Sequence, residues 1–230
     1  MMKIGGLQKV SLIDYPAKIS AVVFTQGCNF RCSYCHNPEL VDPKLFQPCL
    51  PEKDVLDFLS TRSGKLEGVT ITGGEPTLQE DLIPFIRNIR KLGFFVKLDT
   101  NGSNPDILID MISEKLLDFI AMDIKAPLEK YSGVVHAPVE IDDIRRSIHR
   151  VIKSKVPHEF RTTVVSSQLD PKDIFTIVRE IKGAKRYVLQ KYQPAKSLAG
   201  KFFRDKTYSD EELLSIAKKL EKDIPLIIIR

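Results

Sequence analysis

The chain contains no apolar run approaching the ~20 residues that span a bilayer, and its opening, Met-Met-Lys-Ile-Gly-Gly-Leu-Gln-Lys, carries no hydrophobic signal core. A cytoplasmic protein with no membrane partner is expected. Cysteine is scarce, four in 230 residues. That is too few for a disulfide scaffold and suits thiols kept reduced for metal binding. No Ser/Gly-rich linker or low-complexity block interrupts the chain, so one domain over residues 1–230 is expected. Dense Lys/Arg clusters are missing too: the net charge is +5, but both signs are interspersed, and no nucleic-acid surface is expected. The short basic run Arg145 to Arg150 shares a helical pattern with Ile144, Ile148, Val151 and Ile152 and reads as that helix's solvated face.

What the chain does have is alternation. After a loosely alternating opening over Lys3 to Ile13, read as an edge strand or hairpin turning at Asp14-Tyr15-Pro16, strand-like runs recur at Ile19–Thr25, Gly68–Thr72, Phe94–Asp99, Phe119–Lys125, Phe160–Val165 and Arg186–Tyr192. Helical stripes separate them, at Glu52–Thr61, Asp81–Leu92, Ile107–Leu117, Ile141–Lys153 and Pro171–Ile181. A capping-box spacing at Ser209 to Glu212 opens one more helix, and Leu226 to Ile229 reads as a further strand. Strand and helix alternating about six times build a parallel α/β sheet with helical crossovers. Six units are too few for a closed eight-fold barrel. The expectation is a partial (β/α)6 barrel, open along one side, with a core over about residues 19–194 and a C-terminal helix–strand extension.

Three of the four cysteines, Cys28, Cys32 and Cys35, fall in the stretch Gln26-Gly-Cys-Asn-Phe-Arg-Cys-Ser-Tyr-Cys-His-Asn37, spaced C-x3-C-x2-C directly after the first buried strand. Thiolates this close repel unless a metal centre or a disulfide compensates them, and three suit three corners of an iron-sulfur cube with one iron left open. Two other readings compete: a zinc knuckle with Cys49 or His36 as fourth ligand, and a Cys32-x-x-Cys35 redox pair. Cys49, between Pro48 and Pro51, reads as an uninvolved thiol.

In parallel α/β folds the chemistry gathers at the carboxyl ends of the strands. Those positions carry the cysteine loop, Thr72-Gly73-Gly74-Glu75-Pro76, Asp99-Thr100-Asn101-Gly102, Asp123-Ile124-Lys125, Arg161 within the next strand, and Tyr192-Gln193-Pro194. Each alone has an ordinary reading: Gly73-Gly74 a turn, Glu75 a solvated charge, Asp99 and Asp123 helix caps, Lys125 and Arg161 surface ion pairs. Together they describe a rim suited to an amino-acid ligand. Glu75 would meet an ammonium, Lys125 and Arg161 a carboxylate, and Gly73 and Gly74 would permit close backbone approach.

The C-x3-C-x-aromatic-C motif with a downstream Gly-Gly-Glu-Pro resembles the radical S-adenosylmethionine (SAM) enzymes, over roughly Leu7 to Pro194. The cysteine phrase, with Asp99-Thr-Asn-Gly102 and Met122-Asp-Ile-Lys125, is similar to the glycyl-radical-enzyme activases. The opening Lys9-Val-Ser-Leu-Ile-Asp-Tyr-Pro16 resembles the anaerobic ribonucleoside-triphosphate reductase activating branch. The resemblance implies a 4Fe-4S cluster on Cys28, Cys32 and Cys35 whose open iron chelates SAM. It further implies Tyr34, Cys35 and His36 on the adenine side, Gly73, Gly74 and Glu75 at the amino group, and Asp123, Ile124, Lys125 and Arg161 near ribose and carboxylate. A monovalent cation would sit at Asp99, Thr100 and Asp123. Gln193 stands where the pyruvate formate-lyase activases carry His, and Asp14-Tyr-Pro-Ala17 where they carry a glycine-rich turn. Asp14 is a candidate contact to a protein substrate. The implied reaction is reductive cleavage of SAM, with hydrogen abstraction from a partner's backbone glycine. The implied partners are a glycyl radical enzyme, in this branch an anaerobic ribonucleotide reductase, and a flavodoxin or ferredoxin electron donor. Two alternatives stand beside this: a radical SAM enzyme acting on a small molecule or modified nucleoside, and a zinc-stabilised binding module without catalysis.

Overall fold

The structure is a computed structural model and describes residues 1–193 and 208–230. Its centre is one eight-stranded sheet with the strands in chain order. Strand β1 (Ile4–Ser11) runs antiparallel to β2 (Ser20–Thr25). From β2 onward all neighbours are parallel: β3 (Gly68–Gly73), β4 (Phe95–Thr100), β5 (Phe119–Asp123), β6 (His158–Val164), β7 (Arg186–Lys191) and β8 (Leu226–Ile229). The sheet ends at β1 and β8, which do not pair, so the barrel is partial and open along one side, as the alternation predicts.

The strands alternate between two environments. Val96 and Leu98 of β4, and Phe160 and Val164 of β6, are fully buried in the apolar core beneath the helices. The intervening Lys97, Asp99, Glu159 and Arg161 point the other way, into the barrel. The helices α1 (Glu52–Ser60), α2 (Leu82–Lys91), α3 (Pro105–Ser113), α5 (Ile141–Lys153), α6 (Pro171–Glu180) and α7 (Asp210–Leu220) cover the outside. Each buries one stripe: α2 uses Leu82, Phe85, Ile86 and Ile89, and α5 uses Ile144, Ser147, Ile148 and Val151. The basic run on α5 is a solvated face, with Arg145 paired to Asp142 and Arg146 to Asp106 and Asp143. Capping boxes start α6 at Asp170 and α7 at Ser209, the second at the spacing the sequence shows. No helix among the described residues is long and apolar enough to cross a membrane.

Two features differ from the sequence expectation. A short helix, α4 (Tyr131–Val135), stands between β5 and α5. At five residues it spans less than two turns, too little for a 3.6-residue period to register. The segment around Asp14 is also displaced from its expected place. Because β1 is antiparallel to β2 and Ser11 pairs with Ser20, the turn holding Asp14 lies where the parallel strands begin, at the end of the barrel away from the cysteine loop. There Asp14 accepts from Ser11 Oγ and shapes the turn. Pro194 lies outside the described residues.

Candidate active site

The carboxyl ends of β2 to β7 surround a cavity of ≈ 380 Å³. Cys28, Cys32, Tyr34, Cys35, His36, Gly73, Gly74, Glu75, Asp99, Thr100, Asp123, Lys125, Arg161 and Gln193 all line it, so nearly every sequence-predicted residue meets in one place. Ile124 does not: it is fully buried in the core and its backbone is tied to β6 through Arg161 and Thr162. Cys49 is exposed, donates to Gln26 Oε1 at 3.3 Å, and stays outside the cavity, which removes it as a fourth ligand beside the other thiols.

The loop carrying the cysteines has little regular structure and is held by its neighbours. Gly27 N donates to Leu40 O, Arg31 N to Val135 O of α4, Asn29 Nδ2 to Ser103 Oγ, and Gln168 Nε2 to Ser33 Oγ. Phe30 meets Tyr131 edge to face at 6.1 Å. Four separate elements thus fix one loop, which presents three thiols to a common space. Burial pushes the Cys28 thiol up to about 12 and raises Cys32 and Cys35 as well. Without a compensating positive centre these sulfurs hold their protons at neutral pH, and a cationic metal cluster is what converts such thiols to ligands.

Gly73 and Gly74 are required by the chain itself. A Cβ on Gly74 would lie 2.0 Å from Gly27 O, and one on Gly73, whose φ is +114°, would lie 2.4 Å from Thr25 N. Gly74 N donates to Thr25 O and Glu75 N to Gly27 O, so the two glycines let the end of β3 press against the start of the cysteine loop. Glu75 is 1% exposed, and its carboxylate already accepts from Thr77 N, Thr77 Oγ1, Thr100 Oγ1 and Asn101 N at 2.6–3.1 Å. Burial raises this carboxyl and those four donors oppose the rise. Glu75 therefore joins the β3 and β4 loops into one rim, and is not the solvated charge its lone reading suggested.

Deeper in the barrel lies a line of alternating charges. Lys97 bonds Asp99; Arg161 Nη1 donates to Asp99 Oδ2 at 3.1 Å, and Arg161 Nε to Asp123 Oδ1 at 2.7 Å. Lys125 Nζ donates to Asp123 Oδ2 at 3.0 Å. Burial is the largest single influence and works against the charge on each carboxylate, yet Arg161 acting together with Lys97 on Asp99, and with Lys125 on Asp123, outweighs it and holds both carboxyls below the usual range. Asp123 likewise keeps Lys125 and Arg161 protonated against burial. At the mouth, His36 stacks on Tyr192 with ring centroids 5.8 Å apart, and its Nε2 lies 3.2 Å from Gln193 O.

Lys97, Thr163 and Arg230 belong to the site without being among the residues that the sequence singles out. Thr163 and Arg230 also line the cavity. Thr163 follows Arg161 at strand period two, and Lys97 is a charge inside the apolar run Phe94-Phe-Val-Lys-Leu98, so both carried a local signal. Arg230 carried none, since only folding brings it to Glu159.

Residues 22–181 match the family model of the Radical SAM superfamily, more than half of the chain, and this protein belongs to that superfamily. Within it, the chain is 34% identical over 233 residues to Methanocaldococcus jannaschii MJ1227, described as a glycyl-radical enzyme activating enzyme, covering 99% of this chain and 95% of the relative. It is 29% identical over 205 residues to the pyruvate formate-lyase-activating enzyme of Clostridium pasteurianum, covering 84% and 82%. Among solved structures, Streptococcus suis SuiB superposes with a TM-score of 0.69 at 14% identity, over 89% of this chain and 47% of that one. This chain thus spans about half of that structure, and the likeness concerns the fold.

Proposed function

We propose that this protein is a glycyl-radical-enzyme activase of one domain, acting on an anaerobic ribonucleoside-triphosphate reductase in the cytoplasm with electrons from a flavodoxin or ferredoxin. The observation that carries this reading is the convergence of three thiols, the buried Cys32 and the partly buried Cys28 and Cys35, on the one cavity that also holds Arg161, Asp123 and Lys125. The three thiols fit a cluster with one open iron, because no fourth cysteine lines the cavity. When bound, that cluster and SAM supply one-electron cleavage of a carbon–sulfur bond and a carbon radical able to take a hydrogen atom.

The chain's own residues bind, orient and exclude. Lys125 and Arg161, fixed by Asp123, offer charge-assisted donors to a carboxylate. His36, stacked on Tyr192 and close to Gln193, frames the side where a flat base fits, and Gln193 supplies an amide for a ribose hydroxyl. The Glu75 network keeps the rim rigid, so reacting atoms are held rather than found by diffusion. The edge strands β1 and β8, which do not pair with each other, leave the barrel's side open for a protein segment. The monovalent cation of the resemblance is no part of this reading, since Lys97, Arg161 and Lys125 already occupy Asp99 and Asp123.

The test is anaerobic reconstitution with iron and sulfide. With dithionite, the protein cleaves SAM to methionine and 5′-deoxyadenosine, and Cys32→Ala abolishes the products, as read by chromatography. Mixed with the host's anaerobic ribonucleotide reductase, it generates a glycyl-radical signal in electron paramagnetic resonance. Cleavage of SAM without that signal on any glycyl radical enzyme of the host overturns the activase assignment in favour of a small-molecule substrate.

A further inference from the structure

Lys97 sits in the middle of β4, the one charged residue between Phe94 and Leu98, and its side chain is only 3% exposed. An ammonium in that position is tolerated only when it is paired. Its partner is Asp99, two residues on and on the same inward face. From there the line runs Lys97, Asp99, Arg161, Asp123, Lys125, with the sign changing at every step and a direct contact at each. All four carboxylate oxygens of the two aspartates thus meet a cationic donor. The Thr100 hydroxyl is engaged as well: it donates to Glu75 Oε1 at 2.7 Å and accepts from Gly102 N at 3.1 Å.

These residues do not fit the monovalent cation that the activase resemblance attaches to Asp99, Thr100 and Asp123. Three cations and two anions already leave the line with a net charge of +1, and a further ion would add a second uncompensated charge in a buried site. Without the Lys97 ammonium the same line is neutral, and one oxygen of Asp99 is free for an ion. We propose that Lys97 is a built-in counter-cation: it takes the place of an exchangeable monovalent ion, and acts through Asp99 to hold Arg161 where the carboxylate of the bound amino-acid moiety is met. Lys97 is a positioning residue, since it does not line the cavity itself. This rests on the reading of the cavity as a SAM site.

The test uses the reconstituted holoenzyme and calorimetric titration with SAM in potassium, sodium or tetramethylammonium chloride at equal ionic strength, the last ion being too bulky for the site. The wild-type protein binds SAM with the same affinity in all three salts. Lys97→Met loses affinity about ten-fold in tetramethylammonium chloride, the loss of roughly one charge-assisted hydrogen bond, and potassium restores it. A second readout needs no cofactor: the melting temperature of the cluster-free Lys97→Met protein rises when potassium replaces tetramethylammonium, and that of the wild type does not. Lys97→Arg, which keeps the charge, behaves as wild type and stands in where Lys97→Met fails to fold. A potassium requirement in the wild type, or a Lys97→Met protein indifferent to the cation in both readouts, overturns the proposal. Failure of the wild type to bind SAM in any salt overturns the functional reading instead, and the melting comparison then decides the role of Lys97.

Discussion

At the scale of single residues, the site is governed by who is allowed close to whom. The carbonyl of Gly27 leaves no space for any side chain at position 74. Gly74→Ala therefore forces two backbone segments apart and is expected to cost about 3 kcal/mol or more, at or above the upper end for overpacked sites. The urea midpoint of the cluster-free protein measures this, and an unchanged midpoint would show that the loop yields. The Gly-Gly-Glu turn stood out in the sequence, but as a ligand surface. Its larger duty here is internal, because a glycine licensed by a neighbouring backbone looks the same in sequence as one licensed by a ligand. Glu75 shows the same limit: a glutamate after a strand is usually solvated, and only the arrival of Thr77, Thr100 and Asn101 around it makes it a buried joint.

Among the elements, those with long, regular patterns were legible and those built by contact were not. The strand and helix ranges read from periodicity agree with the structure to within a few residues, because burial on one stripe or on alternate positions leaves a pattern in the chain. The capping box before α7 is a case where local chemistry alone fixes a boundary: Ser209 Oγ accepts from Glu212 N, and Glu212 Oε2 accepts from Ser209 N. Ser209→Ala removes one half of that exchange, and thermal or chemical unfolding is expected to register a loss of about 1 kcal/mol, with Ser209→Asp close to wild type. Helix α4 is the opposite case. It exists as a brace for the cysteine loop, through Arg31 N to Val135 O and Phe30 against Tyr131, and a single short brace has no periodicity of its own.

For the whole molecule, the question is what holds an unclosed barrel in shape. Seven parallel strands stop at β8, and the last residue of that strand's register leads to Arg230, whose guanidinium reaches across β7 to the fully buried Glu159 of β6. Arg186 stands 3.6 Å from the same carboxylate. Arg230→Ala leaves Glu159 with the more distant partner alone. The expected loss of stability is about 2 kcal/mol, below the roughly 3–5 kcal/mol of a fully buried pair because Arg186 remains and Arg230 is partly solvated. Denaturant unfolding of Arg230→Ala against wild type reads this directly, and Glu159→Gln in the same background should recover part of the loss. A null result would mean that β8 is held by its backbone ladder to β7 and by the packing of Ile227 and Ile229 against the core.

The sequence by itself determined the order of strands and helices, the partial α/β barrel and the three thiols of the cluster motif. Each of these is written in periodicity, capping or spacing between near neighbours, and such local terms act before the chain is compact. Only the tertiary structure decided which charges share a buried line, that Asp14 falls at the far end of the barrel, and that Ile124 belongs to the core. These depend on the pleat of separate strands and on antiparallel or parallel register, which bring together residues tens of positions apart and leave no mark on either one alone.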